Sequence, residues 1–112
     1  MESTYTFFQR KYGEPGITPG ELANALSEAG VKNRSHYKIQ RYAEQTKLLI
    51  DLGEGRKHPQ ARYLIKLSDV QTVVKGLSTP ISTQDLENII ANQQNEWQNL
   101  HAKEIKRRKT TI

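Results

Sequence analysis

Apolar residues recur at two different periods along this chain, and the change of period divides it. Leu22, Ala25, Leu26 and Ala29 stand at helical spacing, as one face of an amphipathic helix requires. Thr18-Pro-Gly-Glu21 precedes them with the T-x-x-E spacing of a capping box, and Pro19 occupies the first helical position, where its missing N–H costs nothing. Gly30 ends the run. After the turn Gly30-Val-Lys-Asn33 a second helix is predicted, capped by Asn33 or Ser35. From Lys47 the period falls to two: Leu48, Ile50 and Leu52 alternate, GEGRKHPQ supplies an eight-residue tip, and Ala61, Tyr63, Ile65 and Leu67 alternate again. Two alternating runs around such a loop read as a β-hairpin. Ser68-Asp-Val-Gln71 has S-x-x-Q spacing and opens a helix with Val70, Val73, Val74 and Leu77 at i, i+3, i+4 and i+7. Beyond Pro80, Ser82 or Thr83 starts a long last helix running to about residue 109. Residues 1–16 hold Tyr5, Phe7, Phe8 and Tyr12 and end in the breaker cluster Gly13-Glu-Pro-Gly16, and the pattern assigns them no state.

The expected fold is mainly α with a small β-hairpin: a winged helix-turn-helix followed by a long C-terminal helix. It divides into an N-terminal arm at 1–16, a winged-helix unit at 17–80, and a C-terminal helix with a basic tail at 81–112.

Placed on a helix at about 100° per residue with Ile39 at zero, Ser35, His36, Ile39, Tyr42, Ala43 and Thr46 gather within about 60°. Arg34, Lys38, Arg41 and Gln45 fall on the opposite side, between about 200° and 260°. A solvated helix face usually mixes signs to gain i,i+4 pairs, and this stripe carries cations without a carboxylate. Charge concentrates around it. The chain has 112 residues and net charge +5, yet residues 31–66 alone hold nine Lys or Arg against Glu44, Asp51 and Glu54, an excess of six. Such a segment points to a polyanionic partner, the alternative being a basic face that is merely solvated. In a winged helix the second helix enters a major groove while the hairpin tip reaches a neighbouring phosphate run. The stripe is then the face turned toward DNA. Arg34 and Arg41 suit bidentate contact with guanine and Lys38 suits phosphate, with Tyr37, Gln40, Asn33 and Gln45 adding hydrogen bonds. In the wing, Arg56, Lys57 and His58 lie at the tip, and Arg62, alternating away from Tyr63, Ile65 and Leu67, is placed to meet a phosphate. The alternative there is a polar loop that serves solubility.

Other chemistry finds no support in the residues. Cysteine is absent, so disulfides, thiolate nucleophiles and Cys-ligated zinc are excluded. His36, His58 and His101 lie far apart, with no H-E-x-x-H, P-loop, G-x-G-x-x-G or G-x-S-x-G. No catalytic residue, cofactor, metal or small-molecule effector is expected. No apolar run approaches the roughly 20 residues that span a bilayer, and the N-terminal stretch lacks the pattern of a secretory signal, so a cytoplasmic protein without membrane contact is expected.

ITPGELANALSEAGV, IQRYAEQTKLL and ARYLIKLSDVQTVVKGL, in that order, resemble the DNA-binding domain of MerR-type regulators over about residues 17–77. That family opens with a capped helix carrying an L-A pair, ends its second helix in an Arg-Tyr element before a Leu-Leu strand, and enters the next helix through Arg-Tyr…Ser-Asp-Val. The turn and second helix here are a few residues longer, and Thr46-Lys47 stands where the family often has glycine. The resemblance implies that Tyr42 directs its hydroxyl to a phosphate, against a plain packing role, and that Arg62 matches a wing arginine. Thr18 is read as a cap. A helix N-terminus is also a phosphate site, and the resemblance places this one near DNA.

In the last helix Leu86, Ile90, Trp97 and Leu100 follow heptad spacing, with Gln93 in the missing place and Ile89 widening the stripe. MerR-type proteins dimerise through a helix in this position, so Leu86, Ile89, Ile90, Trp97 and Leu100 are expected to form a homodimer seam. The alternative is that the helix folds back onto its own domain. The tail Lys103-Glu-Ile-Lys-Arg-Arg-Lys109 either grips phosphates or is solvated. The expected function is a homodimeric, sequence-specific double-stranded DNA-binding transcriptional regulator, a repressor by preference. The rivals are an architectural or accessory DNA-binding factor of excisionase or partition type, and a protein-interaction module.

Overall fold

The structure, a computed structural model, describes residues 4–31, 35–52 and 62–110, with side chains at 6–31, 35–52, 62–100 and 102. Among the described residues the order is α1 (Thr4–Tyr12), β1 (Gly16–Ile17), α2 (Pro19–Glu28), α3 (His36–Gln45), β2 (Leu49–Asp51), β3 (Tyr63–Lys66), α4 (Leu67–Gly76) and α5 (Thr83–Thr110). The three strands form an antiparallel sheet in the order β1-β3-β2. A helix-turn-helix (α2, α3) followed by paired strands β2 and β3 gives the winged-helix order, with α5 appended. The protein is therefore mainly helical with a small sheet. None of the described helices is long and apolar enough to cross a membrane.

Local signals account for the helix ends. Thr18 Oγ1 accepts from the Glu21 N–H at 3.0 Å while Glu21 Oε1 accepts from the Thr18 N–H at 3.1 Å, closing the predicted capping box. Ser35 caps α3, its Oγ accepting from the Lys38 N–H, and Ser82 does the same for Asp85 at the start of α5. The C-terminal ends of α2, α3 and α4 share one geometry: Gly30, Lys47 and Ser78 have φ of +88°, +64° and +53°, and the N–H groups of these residues and of Val31, Leu48 and Thr79 after them return to the last-turn carbonyls. That is the Schellman motif. Of these three ends, glycine supplies the left-handed residue at that of α2. Lys47 adopts it at the position where the family that the sequence resembles often has glycine.

The start of α4 departs from expectation. Its N-cap position is Lys66, which makes no side-chain cap, and Ser68 is a first-turn residue. Its N–H donates to Glu14 Oε1 at 2.7 Å and its hydroxyl to Glu14 Oε2 at 3.0 Å. The cap is a carboxylate from 54 positions upstream, favoured at a helix N-terminus by the dipole, in place of the predicted S-x-x-Q box.

Strand pairing also corrects the predicted alternation. Ile50 pairs with Leu64 and Leu49 with Ile65. Ile50 and Ile65, expected on one face, therefore lie on opposite faces. Both faces are covered. Ile65 joins Ile17, Leu22, Leu26, Val31, Ile39, Ala43, Val70, Val73, Val74, Leu86 and Ile89 in the main core, and Leu64 packs with Phe8 and Trp97 in a second cluster edged by Tyr12, Ile50 and Leu52. Phe8 and Trp97 meet edge to face at 5.7 Å between centroids. Gly16 makes room for the Phe8 ring: a Cβ there would stand 2.9 Å from Phe8 Cε1 and 3.2 Å from the Ile65 carbonyl.

This second cluster redraws the expected divisions. The segment 1–16 expected as a separate arm contributes α1 and the first residue of β1, so the boundary drawn at 16/17 passes through a strand. The stripe expected as a dimer seam is covered by its own chain: Leu86, Ile89 and Trp97 are buried, and Ile90 and Leu100 half-buried. Gln93, 6 % exposed, donates from Nε2 to the Gly16 carbonyl at 3.0 Å and to Glu21 Oε2 at 3.3 Å. Its place in the heptad serves an intrachain hydrogen bond to β1 and the α2 cap. Heptad spacing describes one face of a helix and does not specify which molecule covers it.

Candidate nucleic-acid interface

Ile39 and Ala43 are fully buried and fix the rotation of α3. Ser35, His36, Tyr37, Lys38, Arg41, Glu44, Gln45 and Thr46 are exposed. Lys38, Arg41 and Gln45 thus lie on the accessible side, as the helical pattern requires, and Tyr37 joins them at 71 % exposure. His36 and Thr46, placed with the apolar side from sequence, are exposed because the buried strip spans only Ile39 and Ala43, with Tyr42 and Gln40 at its margins. The accessible surface also reaches Glu44, so the single-sign stripe is the basic side of a broader polar face. The Thr46 hydroxyl donates back to the Tyr42 carbonyl at 2.9 Å, which closes the helix end.

Tyr42 does not point outward. Its ring packs against the main core and its hydroxyl lies over Gly76 of α4, where any side chain would overlap it. The phosphate contact implied by the family resemblance is replaced by helix-to-helix packing. Arg62 is engaged as well: its Nε donates to Asp51 Oδ1 at 3.2 Å, and the guanidinium lies over the Tyr63 ring at 5.1 Å. With side chains 39 % and 48 % exposed, the pair is solvent-screened and holds Arg62 by no more than about 1 kcal/mol. Arg62 is thus stationed at the base of the wing. Thr18 is consumed by its capping box. Pro19 has no N–H, the Glu21 and Leu22 N–H groups go to Thr18, and the Glu21 carboxylate stands at the same helix end. An end whose Thr18, Glu21 and Leu22 N–H groups are already engaged and which bears a carboxylate is a poor phosphate site.

Thr18, Gly20, Glu21 and Asn24 of the α2 N-terminal half, His36 and Gln40 of α3, and Arg62 with Tyr63 line one concavity of about 500 Å³. Its edge continues into the exposed face of α3. The structure therefore brings Thr18, Gln40 and Arg62 together, leaves Tyr37, Lys38, Arg41 and Gln45 on the adjoining helix surface, and turns Tyr42 away. Asn24 and His36 were not singled out from sequence. Nothing local in the sequence marked them, since each is one polar residue among several on its helix. Arg34, Asn33, Arg56, Lys57 and His58 lie outside the described residues.

No family model, curated protein sequence or solved structure matches this chain.

Proposed function

We propose that the chain is a double-stranded DNA-binding protein that regulates transcription, reading sequence with the exposed face of α3. One observation carries this reading. In a helix-turn-helix followed by a hairpin, the helix that can enter a major groove is locked inward by Ile39 and Ala43 and turns Tyr37, Lys38, Arg41 and Gln45 outward. Arg41 takes the base-edge role and Lys38 a backbone role, and the wing approaches the flanking phosphates from the side of Arg62. The excess of six positive charges over residues 31–66 supplies the sequence-independent attraction, and the MerR-type resemblance rests on the same order of elements. A cytoplasmic location and action as a homodimer belong to this proposal, with a dimer contact other than the buried stripe of α5.

The test is duplex binding to random genomic fragments across a salt series. A few tight sites support a regulator, and extended cooperative coating favours the architectural role. No binding at low salt removes nucleic acid and leaves protein interaction. Arg41→Ala should cost about 1–3 kcal/mol and relax preference at one base pair, whereas Lys38→Ala should weaken all sequences alike and lower the salt slope by about one. If both variants bind as the parent does at moderate salt, α3 is not the reading helix.

A further inference from the structure

Tyr12, Tyr42 and Tyr63 each turn part of the ring onto the protein, and Tyr37 does not. Among the described residues it is the exposed large apolar side chain, at 71 %. It is also well placed. Ser35 caps the turn that carries it, and the His36 ring lies beside it at 4.1 Å between centroids with a 35° tilt, which narrows the ring's freedom. With Ile39 at zero and 100° per residue, Tyr37 stands at about 160° and Arg41 at about 200°. The buried strip of Ile39 and Ala43 is centred at about 20°, so Arg41 stands diametrically opposite it and Tyr37 about 40° to one side. This side is the crest of α3. Lys38 and Gln40 sit on the slopes, at about 260° and 100°.

Crest and slopes meet different chemistry in a major groove. Slope residues face the phosphate walls, and crest residues face the base edges on the groove floor. The apolar group exposed on that floor is the C5 methyl of thymine, and the side chain able to cover it from the crest of α3 is the Tyr37 ring. Resting on the DNA-binding reading above, we propose that Tyr37 is a specificity-determining residue that reads a thymine methyl. Arg41, four residues on, is displaced by about 6 Å along the helix, roughly two base steps at 3.4 Å each. The preferred site accordingly places a thymine within about two base pairs of the guanine that Arg41 contacts. The phenolic hydroxyl stays in groove water and is not needed.

The experiment takes the site selected by the full chain from random duplexes and replaces each thymine in turn by deoxyuridine, which removes only the methyl. One replacement should weaken binding about fourfold, the value of one buried methyl-sized group. Tyr37→Ala, which stays folded by circular dichroism because the ring is exposed, should bind more weakly and be indifferent to that replacement, and Tyr37→Phe should behave as the parent. The proposal is overturned if uracil is tolerated everywhere, or if Tyr37→Ala keeps the parent's uracil sensitivity, while sequence-specific binding persists; the DNA-binding reading then survives. If Tyr37→Phe loses as much as Tyr37→Ala, the hydroxyl is the contact and methyl readout is wrong. A parent protein that binds no duplex at low salt removes both readings together.

Discussion

The two faces of the sheet are covered in different ways. Behind Ile65 lies a core assembled from α2, α3 and α4 with the first turns of α5. Each of these helices announces its buried side by local spacing. Behind Leu64 lie Phe8 and Trp97, 89 positions apart in the chain, neither of which belongs to a pattern that points at a sheet. The first face is built from repeated local signals and the second from a long-range meeting of three large side chains. The lesson concerns small sheets. A winged-helix sheet of three short strands has two apolar sides to cover, and the chain covers one with its helix-turn-helix and the other with its two ends. The consecutive apolar pairs Leu49-Ile50 and Leu64-Ile65 are the mark of that two-sided burial.

The most damaging test of the second face is Trp97→Ala. It should cost about 3–5 kcal/mol, a large share of the 5–15 kcal/mol that holds a typical domain, so thermal melting followed by circular dichroism should show a strongly lowered or absent transition. Ile65→Ala, on the first face, should cost about 2–5 kcal/mol. A Trp97→Ala protein that melts like the parent but loses self-association would return the stripe to the role of a dimer seam and make the two faces unequal. Gly16→Ala, which pushes a methyl into the buried Phe8 ring, should cost about 1–3 kcal/mol. A neutral result in urea titration would mean that the ring yields and the second cluster is loosely packed.

Two smaller effects separate long-range from local control of helix ends. Glu14→Ala removes the carboxylate over the first turn of α4 and should cost about 1 kcal/mol. Gln71→Ala should cost less than Glu14→Ala, because Glu14 performs the capping that sequence assigned to the S-x-x-Q box. The reverse order of melting temperatures would restore that box. Lys47→Gly relieves a left-handed residue and should stabilise by at most about 1 kcal/mol. A loss of stability there would show that the added freedom of the unfolded chain outweighs the strain removed.

The solvent-facing side of α3 was legible in the sequence to the extent that it depended on rotation about one helix axis. Lys38, Arg41 and Gln45 could be placed outward because Ile39 and Ala43 could be placed inward, and both follow from 100° per residue. Tyr42 could not be settled that way. At about 300° from Ile39 it lies on the border, and the absence of a side chain at Gly76, 34 positions later, decides that its hydroxyl packs on α4. Arg62 was placed on the open side of its strand by alternation, and Asp51 on the paired strand draws it into an exposed ion pair. In both cases the deciding neighbour is remote in the chain.

What the sequence determined by itself is the set of structures that close within a few residues: the capping box at Thr18 and Glu21, the starts of α3 and α5 to within two candidate caps each, the stop at Gly30, and the apolar sides of α2, α3 and α4. Their hydrogen bonds and periodicities span three to five positions, so the residues responsible are adjacent and legible. Only the tertiary structure decided that residues 4–12 form a helix at all, that the two strand runs show opposite faces, that Glu14 caps α4, and that the heptad stripe of α5 is filled from within. A nine-residue helix such as α1 is marginal in isolation, and its stability comes from burying Phe8 against Leu64 and Trp97. An apolar stripe records that a face must be covered. What covers it is settled by which surfaces the folded chain brings within reach, and that follows from the whole arrangement of elements rather than from any one of them.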